Sequence, residues 1–96
     1  MVEPKYQIKW TSQYKKDIKL AKKRHYKIEE LQKVVFSLAN ALPLDEKYHD
    51  HELEENWKNH RECHIKPDWL LIYQIKDDVL ILELSRTGTH ADLFKK

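Results

Sequence analysis

The feature that most limits the possible folds is an eight-residue run, Trp-Leu-Leu-Ile-Tyr-Gln-Ile-Lys, at positions 69–76. A short and nearly continuous apolar run is typical of a strand buried in the centre of a sheet. Asp77 and Asp78 follow it, and residues 79–85 are again mainly apolar. We therefore expect a β-hairpin with a two-residue turn, although this turn lacks the preferred glycine. Residues 59–65 predict a further strand before the run, so the second half of the chain should form a sheet.

The first half of the chain predicts one strand and two helices. Apolar and polar side chains alternate over residues 6–10, which is typical of a half-buried strand. A helix capped by Ser12 should run to about His25. A second helix should span residues 28–41 and end there because Pro43 follows. Each helix carries an apolar stripe: Tyr14, Ile18 and Ala21 in the first, and Ile28, Leu31, Val35, Leu38 and Leu42 in the second. The predicted fold is α+β in the order β-α-α-β-β-β, with both helices packed on one face of a small, mainly antiparallel sheet.

The remaining segments are irregular. Residues 44–57 are acidic and polar without a clear period, so we expect a long ordered loop, and such loops in small domains are often functional. Gly88 is the only glycine of the chain, and it indicates a sharp turn of the backbone between Arg86 and His90. A short final element is expected around Leu93 and Phe94.

Length and composition exclude several classes of protein. A chain of 96 residues predicts one domain spanning residues 1–96. A hydrophobic fraction of 41% and a charged fraction of 35% fit neither a disordered tail nor a membrane protein. The N-terminus has no apolar segment of the kind found in signal peptides. Cys63 is the only cysteine and cannot form an internal disulfide, which suits a reducing compartment, so we expect a cytoplasmic protein with no membrane partner.

The net charge of +2 hides an uneven distribution. Residues 1–33 carry ten basic and four acidic side chains, residues 34–57 carry one and six, and residues 58–96 carry seven and six. The basic side chains of the first helix include Lys15, Lys19, Lys22 and Lys23. Such a block indicates either a polyanionic partner or simply a solvated helix face. Lys95 and Lys96 add positive charge at the C-terminus.

Five of the six histidines follow residue 48, and imidazole exchanges protons near neutral pH. The candidate imidazole, carboxylate and guanidinium groups occur in three segments: residues 48–51 (Tyr-His-Asp-His), residues 64–69 (His-Ile-Lys-Pro-Asp-Trp) and residues 86–90 (Arg-Thr-Gly-Thr-His). A zinc site would draw on His49, His51, His60, His64 and Cys63. Their spacing is poor, because a strand would point Cys63 away from His60 and His64. A mid-strand cysteine is typical of a small buried apolar residue rather than of a nucleophile.

Metal-free cleavage of RNA fits these residues better. That reaction needs a base for the ribose 2′-OH, an acid for the departing 5′-oxygen, and a cation for the phosphate. The histidines and Asp68 suit the first two roles, and the planar fork of Arg86 suits the third. Trp69 and Phe94 are candidates to stack on bases, although Trp69 is equally typical of a core residue at the start of a strand.

Several segments resemble one known family along nearly the whole chain. They include residues 13–17 (Gln-Tyr-Lys-Lys-Asp), residues 48–53 (Tyr-His-Asp-His-Glu-Leu), residues 64–73 and residues 86–94. The last two, His-x-x-Pro-Asp-Trp-Leu-Leu-Ile-Tyr and Arg-Thr-Gly-Thr-His-x-x-Leu-Phe, are the most specific. The chain is similar to YafQ-type mRNA interferase toxins of the RelE/ParE superfamily, which belong to bacterial type II toxin–antitoxin systems. The resemblance implies a RelE-like fold with two N-terminal helices on a small sheet.

The resemblance also implies an activity, namely ribosome-dependent cleavage of mRNA in the A site, with no cofactor and no metal. The implied catalytic residues are His51, His64, Asp68, Arg86 and His90, with Trp69 and Phe94 as substrate-binding aromatics. Lys15, Lys19, Lys22 and Lys23 would contact ribosomal RNA. The implied partners are the ribosome with its mRNA and a cognate acidic antitoxin, in a heterotetramer or a larger complex. The alternative is a module that binds RNA, the ribosome or an antitoxin without cleavage and acts mainly in autoregulation of its operon. His49 and His60 are additional to the family pattern and receive no role.

Overall fold

A five-stranded mixed sheet forms the centre of the computed structural model, which describes residues 4–94. In chain order the elements are β1 (Gln7–Trp10), α1 (Ser12–Lys23), α2 (Ile28–Ala39), β2 (His51–Glu52), β3 (Arg61–Lys66), β4 (Trp69–Lys76), β5 (Ile81–Gly88) and α3 (His90–Leu93). The strands lie in the order β1-β5-β4-β3-β2, and only β1 and β5 run parallel. The predicted α+β fold, with two helices before a mainly antiparallel sheet, is therefore confirmed, with a two-residue strand β2 added at one edge.

The central position of β4 explains its apolar sequence. Leu70, Leu71 and Ile72 are fully buried, because both faces of this strand are covered. One face carries the main core, where β4 and β5 pack with α1 and α2. The other face carries a smaller core, in which Leu70 and Ile72 pack with Leu93 of α3. We call this second side of the sheet the α3 face.

The helix boundaries differ slightly from the sequence-based prediction. Thr11, rather than Ser12, caps α1, because its Oγ1 accepts a hydrogen bond from the backbone N–H of Tyr14 at 3.0 Å. The same hydroxyl donates to the carbonyl of Ser85, which ties the start of α1 to β5. Helix α2 ends at Ala39, two residues earlier than expected. Beyond it Ala41 adopts a left-handed conformation with φ of 56°.

Strand β1 and the β4–β5 turn were also predicted imperfectly. All four residues of β1 are exposed, so this strand is not half-buried, because it lies at the sheet edge and pairs only with β5. The buried aromatic of this segment is Tyr6, just before the strand. The turn between β4 and β5 spans residues 77–80 instead of two residues. Leu80 takes a φ of 53° there, which supplies the left-handed residue that a glycine would normally provide.

The segment 44–57, predicted as a loop, contains two single 3-10 turns, Glu46–Tyr48 and Glu55–Trp57, on either side of the short strand β2. Among residues 4–94, no helix is both long enough and apolar enough to cross a bilayer.

Candidate functional site

Four histidines meet on the α3 face of the sheet. The ring of His64 on β3 lies at the centre of the group, with ring centroids 5.6 Å from His49, 6.2 Å from His51 and 5.8 Å from His90. These residues come from a loop, the edge strand β2, β3 and the start of α3, so the fold gathers the three predicted segments in one place. His60 lies outside the group, since its ring packs at 5.2 Å from Trp57.

A buried carboxylate that the sequence reading missed lies beneath two of these rings. Oε1 of Glu62 is 3.4 Å from Nε2 of His51 and 3.4 Å from Nε2 of His64, although Glu62 is only 5% exposed. We call His51, Glu62 and His64 the histidine–glutamate cluster. Glu62 and His64 are two residues apart on β3, so strand alternation places both side chains on the same face. That alternation is the sequence signal from which Glu62 could have been found.

Asp68 orients His90 from the opposite side of the group. Its Oδ1 accepts hydrogen bonds from the backbone N–H of His90 at 3.1 Å and from Nδ1 of the ring at 2.7 Å. The side-chain hydrogen bond from His90, followed by the backbone one, lowers the pKa of Asp68 below its usual value. Because Nδ1 is the donor in this bond, Nε2 of His90 is the ring atom left to exchange a proton with a ligand.

The loop that carries His49 and His51 is held by Asp50. One carboxylate oxygen of Asp50 accepts a hydrogen bond from the hydroxyl of Tyr73 at 2.5 Å, and the other accepts from Nε and Nη2 of Arg61 at 3.2 and 3.0 Å. His49 has a left-handed backbone with φ of 48°, and its carbonyl accepts from Nδ1 of His51 at 2.7 Å. A carbonyl can only accept, so Nδ1 of His51 carries the proton and Nε2 faces the histidine–glutamate cluster.

Arg86 shares the α3 face but lies apart from the histidines. In the sheet, Arg86 on β5 lies opposite Ile72 on β4, and Ile72 lies opposite Glu62 on β3. Arg86 is therefore two strand spacings, about 10 Å, from Glu62. Its guanidinium is bound by Asp17 of α1, with Nε–Oδ2 and Nη2–Oδ1 distances of 2.9 and 3.1 Å. Within residues 4–94, no hydrogen bond joins Arg86 to a histidine or to Asp68.

The two predicted aromatic residues have different environments. Trp69 is 4% exposed, packs its ring 4.9 Å from that of Tyr26, and donates from Nε1 to Oγ1 of Thr87 at 2.9 Å. A ring buried in this way cannot stack on a base, which corrects the assignment of Trp69 to substrate binding. Phe94 is half-buried, and its ring lies 6.5 Å from that of His90, so it borders the histidine group.

The four predicted RNA-binding lysines, Lys15, Lys19, Lys22 and Lys23, are all exposed on α1. Two further cations, Lys16 on α1 and Arg24 directly after it, line a cavity of about 270 Å³ together with Arg86. The sequence did not single out these two, because only the packing of α1 beside the end of β5 brings them near Arg86. The C-terminal charges at Lys95 and Lys96 lie outside the described residues.

The histidine–glutamate cluster consists of side chains of the types that bind metal ions. One ligand atom from each residue of the histidine–glutamate cluster lies within 4.8 Å of the other two, which is close enough to hold one ion. Cys63 is not part of this set. It is fully buried on the other face of β3, and burial raises the pKa of its thiol well above the usual value. The buried position predicted for Cys63 is confirmed, and neither a zinc ligand nor a nucleophile is expected there.

Comparison with known proteins gives consistent matches. A family model described as the bacterial toxin of a type II toxin–antitoxin system, YafQ, matches residues 6–95. The mRNA interferase toxin YafQ of Escherichia coli K12 is 48% identical over 88 residues, which are 91% of this chain and 94% of that protein.

Solved structures agree with these sequence matches. The E. coli DinJ–YafQ toxin–antitoxin complex contains a chain with 45% identity and a TM-score of 0.85, covering 94% of this chain and 98% of that one. A metal-bound toxin from Helicobacter pylori has 44% identity and a TM-score of 0.88, with 93% and 99% coverage.

Proposed function

Because the chain belongs to the YafQ family of bacterial type II toxins, we infer that it is the toxin of a toxin–antitoxin pair and an endoribonuclease that acts on mRNA. We propose further that it cleaves mRNA in the A site of the ribosome. With 96 residues, the chain has little surface beyond its site with which to select a message. The ribosome would supply that selection by presenting a codon to the α3 face.

The proposed reaction is attack of the ribose 2′-oxygen on the adjacent phosphorus, with loss of the 5′-oxygen. A base takes the 2′-OH proton, the new bond from the 2′-oxygen to phosphorus forms as the bond to the 5′-oxygen breaks, and an acid protonates the leaving oxygen. The products are a 2′,3′-cyclic phosphate, which can open to a 3′-phosphate, and a 5′-hydroxyl. No step requires a metal, because protonation and a fixed cation balance the charge.

The site offers two groups that can exchange protons. One is the histidine–glutamate cluster, where either imidazole can share a proton with Oε1 of Glu62. The other is the His90–Asp68 pair, whose Nε2 is free. We propose that these two groups serve as the base and the acid, on opposite sides of the scissile phosphate. Arg86 would bind the phosphate, and Phe94 would contact a base.

The observation that carries this proposal is the meeting of four imidazole rings, within 6.2 Å of the central His64, with two carboxylates. A structural role would not need so many exposed imidazoles on one face. A cavity of about 650 Å³ opens beside His49 and His64, bordered by Lys47, Lys66 and one acid, Glu30, so that its charged groups are net positive. Its positive rim suits an RNA backbone.

The experiment is cleavage of a defined message on purified ribosomes, with fragment ends identified by mass spectrometry. We expect new ends inside codons, carrying a 2′,3′-cyclic or 3′-phosphate, from toxin that a chelator has stripped of metal before it is added to ribosomes in Mg²⁺. His90→Ala and His64→Ala should each lower the rate by about 10²- to 10⁴-fold. His60→Ala is the matched control and should retain the rate, because His60 packs on Trp57 away from the group.

The outcomes separate the parts of the proposal. Cleavage of free RNA at an equal rate would refute ribosome dependence. Loss of cleavage in the metal-stripped toxin, with recovery when a transition metal is returned, would refute a metal-free reaction. An intact message with retained ribosome binding would indicate the alternative, a binding module that acts in operon autoregulation. Unchanged rates in both His90→Ala and His64→Ala would refute the catalytic assignment.

The proposed partners follow from charge. The lysines of α1 would bind ribosomal RNA through its phosphates without reading bases, in the cytoplasm, where ribosomes translate. The antitoxin is proposed to be acidic, since residues 1–33 carry a net charge of +6 from ten basic and four acidic side chains. Assembly as a heterotetramer or a larger complex can be measured by light scattering of the purified pair.

A further inference from the structure

Asp17 is a buried acid that no role in the proposed reaction accounts for. It lies on α1, is 7% exposed, and binds the guanidinium of Arg86 through both carboxylate oxygens, at 2.9 and 3.1 Å. Oδ2 also accepts the backbone N–H of Thr87 at 3.1 Å, while Oδ1 accepts from the side chain of Gln13 at 3.2 Å. One carboxylate thus holds both the side chain of Arg86 and the backbone that follows it.

The pairing uses one of two faces of the guanidinium. A guanidinium presents a side face, formed by Nε and Nη2, and an end face, formed by Nη1 and Nη2, and each can bind an oxyanion with two hydrogen bonds. Asp17 occupies the side face. Within residues 4–94, Nη1 makes no hydrogen bond, so the end face is available for a second anion.

The position of α1 makes this arrangement possible. Strand β1 pairs with β5 only as far as Leu84, so the edge of β5 beyond that residue is uncovered by a strand. Helix α1 passes there instead, and its start is fastened to Ser85 by Thr11. Asp17 therefore reaches the backbone of β5 one residue after Arg86 and fixes the plane of its guanidinium.

We propose that Asp17 is a positioning residue for the reaction, which holds the side face of the Arg86 guanidinium so that the end face meets the scissile phosphate. This inference rests on the proposed function, in which Arg86 binds that phosphate. A long arginine side chain without such a partner samples many rotamers, and a displacement of about 1 Å in a reacting group can lower a rate by about 10²-fold. Asp17→Asn keeps the volume of the side chain and an acceptor for Thr87, and it removes the charge that fixes Arg86.

The test combines turnover with binding. In single-turnover cleavage on programmed ribosomes, Asp17→Asn should be slower by roughly 10- to 100-fold. Its affinity for ribosomes carrying a message with a 2′-deoxy nucleotide at the cleavage position should be unchanged or higher, because Arg86 loses a neutralising partner. General damage to the fold would weaken binding as well. Gln13→Ala is the matched control, since it removes a partner of Asp17 that does not touch Arg86, and it should cleave at the wild-type rate.

A double-mutant cycle shows whether Asp17 acts through Arg86. In the Arg86→Ala background, Asp17→Asn should cause no further loss of rate. An equal loss in both backgrounds would overturn the inference, as would a folded Asp17→Asn variant that cleaves like the wild type. Wild-type activity in Arg86→Ala would instead refute the proposed role of Arg86. NMR of the free wild-type protein adds a test that requires no variant. The hydrogen bond to Asp17 should protect the Nε–H of Arg86, so this proton should exchange slowly with solvent. Fast exchange would also overturn the inference.

Discussion

Asp50 offers the sharpest test of how the site is held in place. Replacing Asp50 with alanine leaves the hydroxyl of Tyr73, a residue only 1% exposed, without its hydrogen-bond partner. An unsatisfied buried hydroxyl costs about 1–3 kcal/mol. The ion pair with Arg61 is partly exposed and adds about 0.2–1 kcal/mol. We therefore expect Asp50→Ala to lower the free energy of unfolding by about 1–4 kcal/mol and the Tm by roughly 5–30 °C.

The measurement is urea unfolding of four proteins: wild type, Asp50→Ala, Tyr73→Phe and the double variant. In the Tyr73→Phe background no hydroxyl is stranded, so the cost of Asp50→Ala should fall below about 1 kcal/mol. Glu52→Gln is the control, because Glu52 is an exposed partner of the same Arg61 and should change stability by less than about 0.5 kcal/mol. Equal costs of Asp50→Ala in both backgrounds would refute the reasoning that the bond from Tyr73 anchors the loop.

Three further predictions concern α3 and the histidine–glutamate cluster. A Cβ on Gly88 would lie 3.0 Å from Cβ and Oδ2 of Asp92, so Gly88→Ala should cost about 1–3 kcal/mol in thermal denaturation and slow cleavage by displacing α3; a wild-type Tm would contradict this. The hydrogen bond from Arg24 holds the pKa of Asp92 well below its usual value, so the contribution of this pair to stability is complete above about pH 5 and is lost as pH falls through the lowered value. The Tm difference between wild type and Asp92→Asn should therefore shrink on acidification from about pH 5, and a constant difference would count against the pairing. Excess Zn²⁺ should inhibit cleavage reversibly by occupying the histidine–glutamate cluster, with weaker inhibition in Glu62→Gln, and unaltered rates in zinc would show that the cluster does not bind the ion.

The sequence predicted those parts of the fold in which local pattern and environment agree. Residues 69–76 are apolar because β4 lies between two other strands and is covered on both faces, and the structure has this strand at the predicted positions. The pattern of residues 6–10 was misleading, because alternation predicts a half-buried strand but cannot show that β1 lies at an edge with both faces exposed. Trp69 shows the same limit for the site. Its place in a family motif suggested substrate contact, whereas the ring faces the core and bonds to Thr87.

The arrangement of the site depends on pairs that sequence distance conceals. Each carboxylate holds a basic or imidazole group of another segment: Asp50 with Arg61, Asp68 with His90, and Asp17 with Arg86, at separations of 11, 22 and 69 residues. No periodicity links the two members of each pair, so the sequence analysis assigned roles to the histidines, Asp68 and Arg86 but gave none to Asp17, which lies in the family-like segment 13–17. Glu62 also received no role, although strand alternation places it on the same face as His64.

Two of these pairs, Asp68 with His90 and Asp17 with Arg86, fix side chains of the α3 face. The third acts from the main-core side, where Asp50 bonds Tyr73 and holds the loop that carries His49 and His51. Among residues 4–94, the buried side chains of the cluster on the α3 face are Leu70, Ile72 and Leu93, with Leu53, Trp57 and Phe94 partly buried against them, so few buried apolar groups surround the polar side chains of that face. Charged hydrogen bonds between elements supply the missing constraint, since they are directional where packing is not. If this reasoning holds, Asp17→Asn and Asp50→Ala should both impair cleavage, but through different groups. The loss in Asp17→Asn should vanish when Arg86 is absent, while the loss in Asp50→Ala should persist, because it displaces His49 and His51 instead.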